Sequence, residues 1–145
     1  MSIPMNQTTP NGSNAQFSET QMATSPPGRH PNGLHDLVVQ AALRSYEIDG
    51  KEAVPYWRGS SNGHAVPDLV IPSLRRVEEI ETEESLSESI EQRLDALVAT
   101  GMEVWVLVPI LKLGESRDRL RGRAHHVQSW WMEDRRIYFG RPESL

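Results

Sequence analysis

Val66-Pro67-Asp68-Leu69-Val70-Ile71, the break Pro72-Ser73, and then Val77-Glu78-Glu79-Ile80-Glu81-Thr82 together decide how the chain is read. The two halves are dominated by aliphatic and β-branched residues, and the proline and serine interrupt them. They are predicted as strands over 67–71 and 77–82. The first opens on a proline, which a strand tolerates at its start. So short a connection pairs them antiparallel. With the turn centred near Leu74, Asp68 is expected opposite Ile80, beside Glu79 and Glu81. Alternation puts Val77, Glu79 and Glu81 on one face and Glu78, Ile80 and Thr82 on the other.

The expected outcome is a cluster of three carboxylates: Asp68, Glu79 and Glu81. Like charges facing across strands are destabilising, and neighbouring acids raise each other's pKa. A hard divalent cation relieves both effects. Mg²⁺ takes one or two carboxylates and keeps several waters, which leaves room for a phosphate oxygen. Such an ion polarises a phosphodiester and lowers the pKa of bound water. The competing reading is a solvated acidic edge, because Glu78, Glu83, Glu84, Glu88 and Glu91 belong to the same stretch.

Upstream, Leu34, Leu37, Val38, Ala41 and Ala42 recur at amphipathic-helix spacing and predict a helix over 34–46. Asn32 is placed to cap it, Asp36 suits its first turn, and Asp49-Gly50 turns the chain. A short strand is expected over 53–57, followed by a glycine- and serine-rich loop over 58–65. Downstream, Ser85 with Glu88 and Ser89 with Gln92 have capping-box spacing, and Ile90, Leu94, Leu97 and Val98 form the stripe of a second helix over 88–100. Gly101 suits its end. The run Val104-Trp105-Val106-Leu107-Val108 is expected as a strand buried on both faces and parallel to 77–82. A helical stretch over 116–121 and short strands over 127–131 and 137–139 complete the reading. The fold class is α/β: a mixed central sheet with a helix-strand-strand-strand-helix-strand core.

The chain has 145 residues and no cysteine, which excludes a disulfide framework and a thiolate zinc site. Residues 1–33 are rich in Ser, Thr, Asn, Gln, Gly and Pro, and are predicted as a disordered tail. That leaves 34–145 as one domain. No run approaches the roughly 20 apolar residues of a membrane span, and no charged start precedes an apolar stretch. A cytoplasmic protein is the expectation. Residues 34–110 carry 14 acids and 6 bases, net −8, whereas 111–145 carry 5 acids and 8 bases, net +3. Arg117, Arg119, Arg121 and Arg123 are spaced by two, so they share a face on a strand and spread around a helix. With Trp130 and Trp131 nearby they suit a nucleic-acid contact surface; the other reading is a solubilising face over a tryptophan-closed core. His125 and His126 are adjacent and point apart on a strand, which is poor chelating geometry.

The Pro67-Asp68 pair, the Glu79-Ile80-Glu81 segment and the strand order resemble the PD-(D/E)xK nuclease superfamily over 34–109. The Glu-Ile-Glu-Thr segment followed by a helix and Trp-Val-Leu-Val-Pro resembles a group of uncharacterised microbial proteins with a Glu-Val-Glu-Thr strand. The resemblance implies a restriction-endonuclease-like fold and a metal-dependent nuclease that hydrolyses phosphodiester bonds of DNA, or less readily RNA. It implies Asp68 and Glu79 as ligands of Mg²⁺ or Mn²⁺, and Glu81 as a third catalytic position. That position is usually Lys, which helps activate the attacking water, so Glu81 is a departure. The alternative is a catalytically inactive nuclease-fold module that binds nucleic acid or a protein partner. Members often carry an acid on the first helix, here Asp36 or Glu47, and Gln92 resembles a glutamine of some branches. Many members act as homodimers, though no residue here marks one.

Overall fold

The computed structural model describes residues 33–57, 66–86 and 90–145. The expected tail, Asn32, the loop over 58–65, and the caps at Glu88 and Ser89 lie outside them. The described chain runs α1 (Gly33–Ile48), β1 (Val54–Pro55), β2 (Leu69–Ile71), a 3₁₀ turn (Pro72–Leu74), β3 (Arg76–Ile80), α2 (Glu83–Leu86), α3 (Glu91–Val98) and β4 (Glu103–Pro109). A second 3₁₀ turn (Ile110–Lys112), α4 (Leu113–Leu120), β5 (His126–Glu133), β6 (Arg136–Phe139) and β7 (Glu143–Ser144) follow.

The mixed α/β class is as read from the sequence, and the short α2 and β7 are additions to the expected elements. The sheet order is β1-β2-β3-β4-β5-β6, with β7 also paired to β5. The β2–β3 pair is antiparallel, β3–β4 and β4–β5 are parallel, and β5–β6 is antiparallel. Strand β4 is central and buried along nearly its whole length, as its unbroken apolar run requires.

Each face of the sheet has its own core. Val70, Val77, Val104, Val106, Val108 and Val127 meet Ile90, Leu94 and Leu97 of the α3 segment and Leu120 of α4. On the opposite face, Ile80, Trp105, Leu107, Trp130 and Ile137 meet Val38 and Val39 of α1. Helix α1 therefore covers one face and α3 the other.

Several boundaries differ from expectation. The strand expected over 53–57 is only Val54–Pro55, because Tyr56 adopts a left-handed φ of 51° that ends pairing. Strand β3 stops at Ile80, two residues early, because Thr82 turns the chain into α2. Thr82 Oγ1 accepts from Ser85 N at 3.2 Å and Ser85 Oγ accepts from Thr82 N at 2.9 Å. This reciprocal cap joins Thr82 to Ser85 at the start of α2. The expected helix 88–100 is described as α3, Glu91–Val98, and Val98 lies on its exposed side rather than in the stripe. The 116–121 stretch is observed as Leu113–Leu120, and Gly122 falls after the helix.

Candidate functional site

The β2–β3 register pairs Leu69 with Glu78, Val70 with Val77 and Ile71 with Arg76. Continued by one residue, it sets Asp68 opposite Glu79, not Ile80. The turn is one residue tighter than expected, because Arg75 closes it in a left-handed conformation with φ 50° and its N–H bonds to Pro72 O. The shift brings Asp68 onto the face of Glu79 and Glu81, since directly opposed residues share a face.

All three carboxylates are buried: Asp68 and Glu81 are 0% exposed and Glu79 is 1%. They are locked by the strand ends that carry them. Ile80 N donates to Asp68 Oδ2 at 2.7 Å, and Asp68 N donates to Glu79 Oε1 at 3.2 Å. Trp130 Nε1 donates to the Glu81 carbonyl at 2.9 Å, and Ser85 Oγ donates to Glu81 Oε1 at 2.6 Å. The backbone of Glu81 is itself tied to β4 through Leu107 O.

Arg93 of α3 reaches into this set. Its Nε is 3.3 Å from Glu79 Oε2, and its Nη2 is 3.1 and 3.2 Å from the two oxygens of Glu81. One guanidinium thus joins two buried carboxylates, while its side chain stays 31% exposed. The fork geometry of Arg suits such bridging. Sequence reading passed over Arg93 in favour of Gln92, which is exposed. The signal was a base placed on the helix that covers the acidic face, between the buried Ile90 and Leu94.

The first turn of α1 completes the site from the other side. His35 Nε2 lies 3.2 Å from Asp68 Oδ2, and Asp36 Oδ1 accepts from Tyr56 OH at 2.8 Å. Both His35 and Asp36 are buried, whereas Glu47 is exposed at the far end of the helix. Of the two candidate helix acids, only Asp36 adjoins the cluster. Tyr56 holds its strained conformation where its ring stacks on His35 and its N–H bonds to Asp68 O. Such strain persists only where surrounding contacts fix it.

A second polar cluster lies on the opposite face of β3. Glu78, 1% exposed, accepts a short hydrogen bond from Tyr46 OH. Arg76 donates to Tyr46 OH at 2.9 Å and to Glu103 at 3.2 Å, and its guanidinium stacks 3.7 Å from the Trp105 ring. Burial pushes the Glu78 carboxyl up to about 7, against the lowering effects of Tyr46 and Arg76. Burial and the Glu78 charge push the Tyr46 phenol up as well.

Of the arginines assigned to nucleic acid, Arg117 and Arg119 lie on α4 and Arg121 and Arg123 just beyond it. Each meets an acid of the domain: Arg117 pairs with Glu143, Arg119 with Glu91, Arg121 with Asp118 and Arg123 with Asp95. Trp105 and Trp130 join the core, while Trp131 stacks on Tyr138. His125 Nδ1 accepts from Val104 N at 2.9 Å, and the His126 ring lies over Trp105, so the two histidines serve separate packing roles.

Carboxylate oxygens are hard donors, and Asp68, Glu79 and Glu81 suit Mg²⁺ or Mn²⁺ by chemistry. As placed, no group of three acidic or histidine side chains among the described residues stands close enough to hold an ion. Glu79 and Glu81 are instead spaced to fit the guanidinium between them. Arg93 is partly exposed, whereas the two carboxylates it joins are buried. No model of a known family, no curated protein and no solved structure matches this chain. No described helix is long and apolar enough to cross a membrane.

Proposed function

We propose that this chain is a nuclease-like protein of PD-(D/E)xK type that hydrolyses phosphodiester bonds, with DNA the favoured substrate over RNA. One observation carries the reading: Glu79 and Glu81 share a single guanidinium, with Asp68 hydrogen-bonded alongside. Glu79 and Glu81 already hold one cationic group between them, and a metal ion would take its place once Arg93 moves away. Asp68 and Glu79 would hold Mg²⁺ or Mn²⁺, with Glu81 completing the set. When bound, the ion would polarise a phosphate oxygen and lower the pKa of water.

The protein's own groups set up the rest. The backbone N–H of Ile80 fixes the Asp68 carboxylate. His35, seated on Asp68, is placed to hold or release a proton there. Arg93, once withdrawn, offers a cation beside Glu81 where the usual motif has Lys, and a guanidinium binds phosphate well.

A second reading has an observation of its own. Arg93 grips both oxygens of Glu81, and a permanent grip would make the cluster a structural ion-pair network. The chain would then be an inactive nuclease-fold module that binds nucleic acid or a protein.

Cleavage of single-stranded, linear and supercoiled DNA by the full chain, with Mg²⁺, Mn²⁺ or chelator, separates the two. Cation-dependent cleavage lost in folded Asp68→Ala and Glu79→Gln supports the first reading. DNA binding with no cleavage, indifferent to cation, supports the second. Undiminished cleavage by Asp68→Ala would refute the site.

A further inference from the structure

The first turn of α1 carries His35 and Asp36 against the carboxylate site, both buried, at 4% and 5% exposure. Polar groups taken out of water must find partners, and the partners here form one line. Tyr56 OH donates to Asp36 Oδ1 at 2.8 Å. The same Asp36 Oδ1 lies 3.4 Å from His35 Nδ1. At the other edge of the ring, His35 Nε2 lies 3.2 Å from Asp68 Oδ2.

The order of groups along this line sets their roles. A carboxylate beside Nδ1 favours the N–H on that nitrogen, which leaves the lone pair on Nε2, the nitrogen beside Asp68. Nε2 and Asp68 Oδ2 are then two acceptors in contact, and such a buried contact needs a proton or a cation to join it. Histidines that bind metal ions have this surrounding: one ring nitrogen on the ion, the other bonded to a carboxylate. The spacing agrees. Adjacent ligands about 2.1 Å from an octahedral ion stand about 3 Å apart, close to the separation of Nε2 and Oδ2. Tyr56 fixes the outer end of the line, because its N–H bonds to Asp68 O and its ring stacks on His35.

We propose that His35 is a nitrogen ligand of the cation addressed by Asp68 and Glu79, with Asp36 and Tyr56 as positioning residues behind it. The proposal deepens the phosphodiester reading and rests on it for the cation. His35 and Asp68 already stand at ligand spacing, whereas Glu79 is engaged by Arg93 at 3.3 Å. The helix acid Asp36 thus supports the imidazole and is not itself a ligand. The class of ion follows from the nitrogen. Imidazole suits transition ions, whereas Mg²⁺ takes oxygen ligands, so the site prefers a divalent transition ion to Mg²⁺.

Mn²⁺ is the probe, because pulsed electron paramagnetic resonance detects nitrogen bound to it and needs no variant. The full chain loaded with Mn²⁺ is expected to show a nitrogen coupling that changes when its histidines are labelled with ¹⁵N. Calorimetric titration of Mn²⁺ and Mg²⁺ follows, into wild type, His35→Gln and Asp36→Asn, each checked for folding. Mn²⁺ affinity is expected to fall about tenfold or more in His35→Gln and less in Asp36→Asn, with Mg²⁺ affinity changed under about threefold. Mn²⁺ bound with no nitrogen coupling, or a coupling that persists in folded His35→Gln, would overturn the proposal and leave the phosphodiester reading standing. Coupling lost in His35→Gln, in a protein that cleaves no DNA, would support the ligand and remove that reading. A wild type that binds no Mn²⁺ would overturn both.

Discussion

At the scale of single residues, the two faces of β3 handle charge differently. Glu79 and Glu81 share one guanidinium. Glu78 faces Tyr46 with one oxygen, and its Oε1 has no hydrogen-bond partner among the described residues. Its carboxyl is therefore pushed up from 4.5 to about 7, chiefly by burial. A pKa raised on folding means that the folded state takes up a proton between those values. The stability linked to Glu78 is fully present below about pH 4.5 and is lost as pH rises through about 7. The shift corresponds to roughly 3 kcal/mol. Glu78→Gln keeps an acceptor for Tyr46 without a charge to bury. Urea unfolding at pH 5 and pH 8 is expected to show wild type losing more stability than Glu78→Gln over that interval. An equal loss in both would show that Glu78 is not the group responsible.

At the scale of elements, the site depends on how α3 is seated. Leu94 is fully buried between α3 and the sheet, one residue after Arg93. Leu94→Ala is expected to cost about 2–5 kcal/mol in chemical denaturation, from lost transfer energy and the cavity left behind. A loss under 1 kcal/mol would mean that the helix is held by other contacts. These elements were legible because their signals are local and periodic: the apolar run 104–108, the alternation through Val77 and Glu79, and the stripe of Ile90, Leu94 and Leu97. The convergence of Asp68 with Glu79 and Glu81 was legible too, although its register was off by one. A hairpin's register follows its turn, and the left-handed Arg75 carries no mark in the sequence that a glycine would have given. Arg93 was missed for a different reason. Whether a helical side chain reaches across to a strand depends on the roll of the helix on the sheet, and Gln92 and Arg93 are neighbours in sequence on different sides of α3. The early end of β3 came from the Thr82–Ser85 cap, which competes locally with strand pairing.

At the scale of the whole molecule, charge that looked divided along the sequence is joined in space. The acidic middle and the basic end meet through Arg119 with Glu91 and Arg123 with Asp95, which tie α4 and its following turn to the α3 segment. Exposed pairs of this kind contribute little individually, so they argue for orientation more than for stability. The central proposal is that Asp68, Glu79 and Glu81 bind a divalent cation in competition with Arg93. Removing one partner of a buried ion pair leaves uncompensated charge and costs 3–5 kcal/mol when burial is complete. For the partly exposed Arg93, roughly 2 kcal/mol is expected. A cation bound only by the folded state restores stability, by about 2.7 kcal/mol at a hundred times its Kd. The most direct measurement is the thermal midpoint of wild type, Arg93→Ala and Asp68→Ala, in chelator and across a Mn²⁺ titration. The account predicts that Arg93→Ala unfolds early in chelator and gains more from Mn²⁺ than wild type, while Asp68→Ala gains nothing. Midpoints that do not respond to Mn²⁺ in wild type or in Arg93→Ala would contradict it.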